Sequence, residues 1–155
     1  MNHEYINKLQ KGCAFVPCYL TGTGKVTKIY FKEGGYEYIK YSVDKIINDY
    51  CSINMRSIHS IKRICRSITG KKCITPLYIK EGVILIPIKT IKPFARGDKC
   101  IGYINIKFIE EVDFENNKVK LNNGSYINYL DSTETIKKRI GDCAIIDKSI
   151  ENYYL

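Results

Sequence analysis

The sequence predicts an α+β fold in which antiparallel sheet dominates, with two adjacent central helices and a C-terminal helix. Three observations lead there. Aromatic and β-branched residues gather in short runs divided by Gly-rich turns, from the N-terminal region to about residue 41. The apolar spacing then changes to three and four residues until Gly70. After Gly70 the β pattern returns and holds until Ser132, where helical spacing resumes.

Taken in order, the first forty residues read as β. Cys13–Val16, Lys25–Phe31 and Tyr36–Tyr41 are the candidate strands. Thr21-Gly22-Thr23-Gly24 and Glu33-Gly34-Gly35 supply the turns between them, because glycine reaches positive φ without steric cost. Ser42 is placed to cap a helix whose Val43, Ile46, Ile47 and Tyr50 share a face. Asn54 is expected to cap a second helix carrying Ile58, Ile61, Ile64, Cys65 and Ile68 on one side, with Gly70 ending it. Arg56, His59, Lys62, Arg63 and Arg66 fall on the other side. Cys73–Ile79 and Val83–Ile88 then flank Lys80-Glu81-Gly82 as a hairpin, with Pro76 and Pro87 expected at edges or bulges. A strand is expected from Ile101 to Ile109, followed by short strands around Asn116-Asn117 and Asn122-Asn123-Gly124. Ser132 should cap the closing helix, with Ile136 and Ile140 on its apolar side.

A chain of 155 residues with 45% apolar content is expected to form a single domain over 1–155, folding without disulfides or metal. The longest apolar run, Val83–Ile88, is far too short to span a membrane. Met1-Asn2-His3-Glu4 lacks the layout of a signal peptide, so the seven cysteines are expected to be reduced thiols in a cytoplasmic protein. Ile, Lys and Tyr are abundant while Trp is absent and Arg occurs five times. That bias matches A/T-rich codons, which makes the few Arg worth following, since Arg serves planar recognition that Lys does not.

The net charge of +9 is concentrated. Residues 1–50 carry +2, residues 51–99 carry +9 and residues 100–155 carry −2. Six positive charges and no acid lie between Asn54 and Lys72. Such a focus is the footprint of a polyanion site, nucleic acid first; the alternative is a solvated basic face.

Enzyme chemistry finds little support, and the chain is not expected to be an enzyme. His3 and His59 are the only histidines, and His3 is expected in a frayed terminus. Gly22-Thr23-Gly24-Lys25 resembles a phosphate loop but has Tyr19 where the first glycine belongs and Val26 where Ser or Thr should follow, so it reads as a turn. Cys13/Cys18 and Cys65/Cys73 lack zinc-ligand spacing, so no metal or other cofactor is expected. The tyrosines read as packing residues first and base-stacking residues second. The paired central helices admit a helix-turn-helix, for which a third packing helix would be needed where the sequence offers strands.

The order of segments resembles the bacterial competence transcription factor family, ComK. Thr69-Gly70 followed by Thr75-Pro76-Leu77-Tyr78-Ile79 resembles its Thr-Gly and Pro-hydrophobic strand. Leu85-Ile86-Pro87-Ile88-Lys89-Thr90 is similar to its Phe-Pro-Thr segment, and Cys100-Ile101-Gly102-Tyr103-Ile104 to its Cys-x-Trp-Ile. Asp113-Phe114 through Leu121-Asn122-Asn123-Gly124 parallels its strand, Asn-Gly turn and strand. Upstream, Gly24-Lys25 and Val43–Cys51 fit its early strands and short helix, so the likeness covers about residues 12–140. Its Gly-Ser-Ser-Tyr-x-Gly-Arg segment falls at Met55–Ile61, where Ser57 alone matches. The sequence stops soon after the last helix, so contacts the family makes through a longer C-terminal tail are not expected.

The resemblance implies a DNA-binding transcriptional activator that reads A/T-rich boxes of double-stranded DNA through the minor groove, working as a homo-dimer or higher oligomer. Arg56, Arg63, Arg66 and Arg96 are the candidates for groove or phosphate contacts. Lys62, Lys71, Lys72, Lys89 and Lys92 are expected to neutralise phosphates. The alternative partner is an acidic protein bound by the same basic face, in an interaction or inhibitory module.

Overall fold

A computed structural model describes residues 1–154; Leu155, the last residue of the expected domain, lies outside them. The architecture is α+β with mostly antiparallel sheet, in the element order α1 (His3–Lys11), β1 (Gly12–Leu20), β2 (Gly24–Phe31), β3 (Tyr36–Ile39), α2 (Val43–Ile53), α3 (Ile58–Thr69), β4 (Leu77–Lys80), β5 (Val83–Lys89) and β6 (Ile101–Asn105). After a 3-10 turn over Ile106–Phe108 come β7 (Ile109–Asp113), β8 (Lys118–Leu121), β9 (Tyr126–Asn128), α4 (Thr133–Ser149) and α5 (Glu151–Tyr154). The main sheet has six strands in the order β3-β2-β1-β6-β5-β4, and β7-β8-β9 form a second sheet.

β1 and β5 each bury six consecutive residues, so both faces of these strands are covered. Helices α1 to α4 touch in succession and meet the main sheet at β2, β1, β4 and β5. Val119, Leu121, Ile127 and Tyr129 of the second sheet and its exit join the same hydrophobic cluster.

The helix spacings hold. Ser42 caps α2 by accepting from the Lys45 amide, and Val43, Ile46, Ile47 and Tyr50 are buried. Gly70 ends α3 in the left-handed conformation at φ 71°, its amide donating to Arg66 O. On α3, Ile61 and Cys65 are buried and Ile58, Ile64 and Ile68 pack partly against the core.

Several expectations are corrected. Residues 3–11 are helical and not part of a frayed terminus or a strand. Asn2 caps this helix through the Tyr5 amide, Leu9 is fully buried one turn beyond Tyr5, and the Tyr5 hydroxyl donates to Asp49 at 2.7 Å. Asn54 does not cap α3: it closes the C-terminus of α2, and Ser57 caps α3 by accepting from the Ser60 amide. The reason is the intervening Met55, which takes φ 58° and breaks the helical path between them. The expected strand from Ile101 to Ile109 stops at Asn105, whose side chain accepts from the Lys107 amide and folds the chain into a 3-10 turn. Finally, α4 packs against α3, so a third helix does accompany the central pair.

Pro87 sits inside β5, an interior strand, yet obeys the edge rule. β5 pairs with β6 from Leu85 to Lys89 but with β4 only up to Leu85. Beyond that point the same side of β5 is met by side chains and loop. Arg139 donates to Pro87 O at 2.9 Å, the Lys89 amide donates to Asp131 at 2.8 Å, and Lys89 O accepts from the Leu130 amide. Arg139 and Asp131 also pair directly at 2.9 Å, both largely buried.

Two glycines test this packing in opposite directions. A Cβ on Gly102 of β6 would lie 2.8 Å from Val16 Cγ1 and 3.0 Å from Phe15 O, against backbone that cannot yield. Gly102→Ala is expected to lower stability by about 1–3 kcal/mol in a denaturant titration. Gly141 lies within α4, where a Cβ would meet only open space. Gly141→Ala is expected to raise stability by about 1 kcal/mol in the same assay.

Candidate nucleic-acid interface

α3 and the two long loops bring the basic middle of the chain together. Lys62 on α3, Ile74 in the segment after α3, Lys89 at the end of β5, and Pro93, Gly97 and Lys99 in the β5–β6 loop line one groove of about 550 Å³, floored by Tyr103. Arg63 adjoins Lys62 on α3, Lys71 and Lys72 stand three and two residues before Ile74, and Lys92 and Arg96 adjoin Pro93 and Gly97. Arg63, Arg66, Lys71, Lys72, Lys92 and Arg96 are exposed, while Lys62 and Lys89 are half-buried. Arg66 is steadied by its Nε, which donates to Cys73 O at 3.3 Å.

The ion pairs engage a minority of the 25 basic residues. Lys8, Lys45, Lys99, Lys107, Lys120 and Arg139 bridge to carboxylates. Among the described residues, Lys62, Arg63, Arg66, Lys71, Lys72, Lys89, Lys92 and Arg96 take part in none of these ion pairs. Cations gathered at and beside the groove repel each other, and that repulsion falls when a polyanion binds.

Arg56 is not among the residues lining that groove; its Nε donates to Ile79 O at 3.3 Å, at the end of β4. Arg56 is half-buried there, whereas Arg66, whose Nε makes a like bond to Cys73 O, is exposed. Arg139 has a similar structural duty at Asp131 and Pro87. Three of the five arginines, Arg63, Arg66 and Arg96, remain as candidates to face a ligand.

Asp44, Asp98 and Lys99 belong to the groove but were not singled out by the sequence. Lys99 pairs with Asp44 at 2.7 Å, which pushes the Lys99 ammonium pKa up. Both acids are thus already engaged. Tyr103 on the floor is pushed up to about 12, chiefly by burial, and stays a neutral phenol at physiological pH.

The β5–β6 loop is built on Asp98. Its Oδ2 accepts from the Tyr19 hydroxyl, from the Phe94 amide at 3.1 Å and from the Ala95 amide at 3.0 Å. The Asp98 amide returns a bond to Ala95 O, and the Thr90 amide closes the loop base on Cys100 O. The Tyr19 ring meets Phe94 edge-on, with centroids 4.2 Å apart. The Tyr19 hydroxyl first, then the Ala95 and Phe94 amides, hold the Asp98 carboxyl below its ordinary range.

The phosphate-loop likeness at Gly22–Lys25 falls in the β1–β2 turn, with Gly22 and Gly24 at φ 81° and 91°. Among the described residues, no group of three or more His, Cys, Asp or Glu is placed to hold a metal ion. No helix of the described residues is long and apolar enough to cross a membrane. No family model, curated protein or solved structure matches this chain.

Asp98→Ala is expected to speed hydrogen exchange at the Phe94 and Ala95 amides while leaving the global denaturation midpoint nearly unchanged, because the bonds it loses are confined to a surface loop. The pH dependence follows the lowered carboxyl pKa. Loop order is complete above the unfolded value of about 4 and is lost as pH falls through the lower folded value. Exchange measured from pH 7 down to pH 3 should show loosening only at the acid end.

Proposed function

We propose that the chain is a cytoplasmic DNA-binding transcriptional regulator of the ComK type, an activator that reads A/T-rich boxes of double-stranded DNA and works as paired subunits. One observation carries the DNA reading: Lys62, Lys89 and Lys99 line a single groove, and Arg63, Arg66, Lys71, Lys72, Lys92 and Arg96, all exposed and in none of the ion pairs among the described residues, lie close in sequence to its lining residues. Lysines suit phosphates as point charges, and Arg63, Arg66 and Arg96 supply guanidinium groups for the negative, narrow minor groove of A/T tracts. The ordered motifs from residue 12 to residue 140 support the ComK reading beside this geometry.

The packing of α4 on α3 favours one second reading, a helix-turn-helix that presents α3 to the major groove. Base analogues separate the two. An inosine–cytosine pair shows the minor-groove pattern of A·T and the major-groove pattern of G·C. A minor-groove reader keeps its affinity when A·T pairs are replaced by inosine–cytosine; a major-groove reader loses it.

The first test is binding to an A/T-box duplex and a G/C-rich duplex of equal length across a salt series. The expected result is a preference of about a hundredfold for the A/T duplex at physiological salt. Arg63→Ala and Arg66→Ala should each weaken A/T binding by about 1–3 kcal/mol, and Lys71→Ala should reduce the salt slope by about 1. Equal weak binding to both duplexes would leave the groove a merely electrostatic surface. No duplex binding at low salt, with capture of an acidic protein, would select the interaction-module alternative.

A further inference from the structure

Of the five phenylalanines, Phe15 lies in the core and Phe31, Phe108 and Phe114 pack against it, whereas Phe94 is 79% exposed at the tip of the β5–β6 loop. Exposing one large aromatic ring is ordinary; holding it in place is less so. The Phe94 backbone amide is fixed by Asp98, and the Tyr19 ring braces one side of the phenyl group at 4.2 Å. Exposed Lys92 and Arg96 stand two residues to either side. Lys25 contributes from the β1–β2 hairpin, its Nζ donating to Lys99 O.

We propose that Phe94 is an insertion side chain that enters between two base pairs from the minor groove and kinks the duplex, with Lys92 and Arg96 on the flanking phosphates. This rests on the DNA reading above. Its chemistry is that of a single apolar wedge inside a cationic collar, which matches a stacked apolar interior lined by phosphates. A protein groove would more readily take a broad apolar patch, whereas here the one large exposed apolar side chain lies between Lys92 and Arg96 in sequence. An anionic membrane would also meet such a collar. The loop, however, is continuous with the groove that holds Lys62 and Lys89, through Pro93 and Gly97, and offers one apolar side chain at its tip. One ring suits one base step. Pyrimidine–purine steps, common in A/T-rich boxes, unstack most readily and are the expected place of entry.

The experiment uses the full chain and an A/T-box duplex with 2-aminopurine placed at each pyrimidine–purine step in turn, and dyes at both ends to report bending. Binding should raise 2-aminopurine fluorescence at one step and shorten the end-to-end distance. Phe94→Ala should abolish both signals and weaken binding about tenfold at an unchanged salt slope, in keeping with the loss of one stacked ring. Phe94→Leu, which keeps an apolar wedge, should retain most of the bend. Arg63→Ala should weaken binding yet preserve the fluorescence rise at saturation.

If the wild-type chain binds no duplex, the DNA reading itself fails and the insertion fails with it. If it binds A/T DNA but Phe94→Ala matches wild type in affinity, fluorescence and bending, the insertion alone is overturned. Phe94-dependent binding to phosphatidylserine vesicles, with duplex behaviour unaffected by Phe94→Ala, would likewise overturn it in favour of a membrane surface.

Discussion

The far half of β5 is the constraint around which much of the molecule is arranged. Past Leu85 the strand has no β4 beside it, and a buried strand cannot leave carbonyls and amides unpaired. Pro87 removes one donor; Arg139 satisfies its carbonyl, and Asp131 and Leu130 complete Lys89. The Arg139–Asp131 pair is largely buried, so each charge depends on the other. One cluster of bonds thereby ties the main sheet to α4 and to the exit of the second sheet. It also fixes Lys89, the last residue before the loop that forms one wall of the basic groove.

That anchoring gives the electrostatics a defined geometry. α3 is held by Ile61 and Cys65 in the core, and the β5–β6 loop is held by Asp98 and the Thr90–Cys100 closure. Between these two fixed walls the acids are used locally, Asp44 by Lys99 and Asp98 by Tyr19 and two amides. The cations facing outward keep their charge for a ligand. An anionic partner would find donors already placed, and would spend little of its binding free energy on ordering them.

Much of the fold was legible because its signals are local. Ser42 and Gly70 act through bonds within a turn, and glycines at Gly34, Gly35 and Gly82 take the positive φ their hairpins require. The N-terminal helix escaped because its stability comes from Leu9 in the core and Tyr5 on Asp49, contacts that a nine-residue segment does not display by itself. The start of α3 moved because Met55 adopts a left-handed conformation that side chains of its kind rarely take. The candidate site was half legible. Charge counting found the segment, and it placed Arg56 and Arg66 alike; both donate to backbone carbonyls, and only the packing half-buries Arg56 and leaves Arg66 exposed.

The sequence by itself determined the fold class, the alternation of strands and helices beyond the N-terminal helix, and the focus of positive charge between residues 51 and 99, because periodicity, turn chemistry and charge are properties of neighbouring residues. Tertiary structure decided which cations line the groove, which arginines stay exposed, and where Phe94 stands. Those depend on how α3, the end of β5 and the β5–β6 loop meet in space. Partners tens of residues apart, such as Tyr19 with Asp98 and Asp131 with Lys89, set that meeting, and no local pattern encodes them.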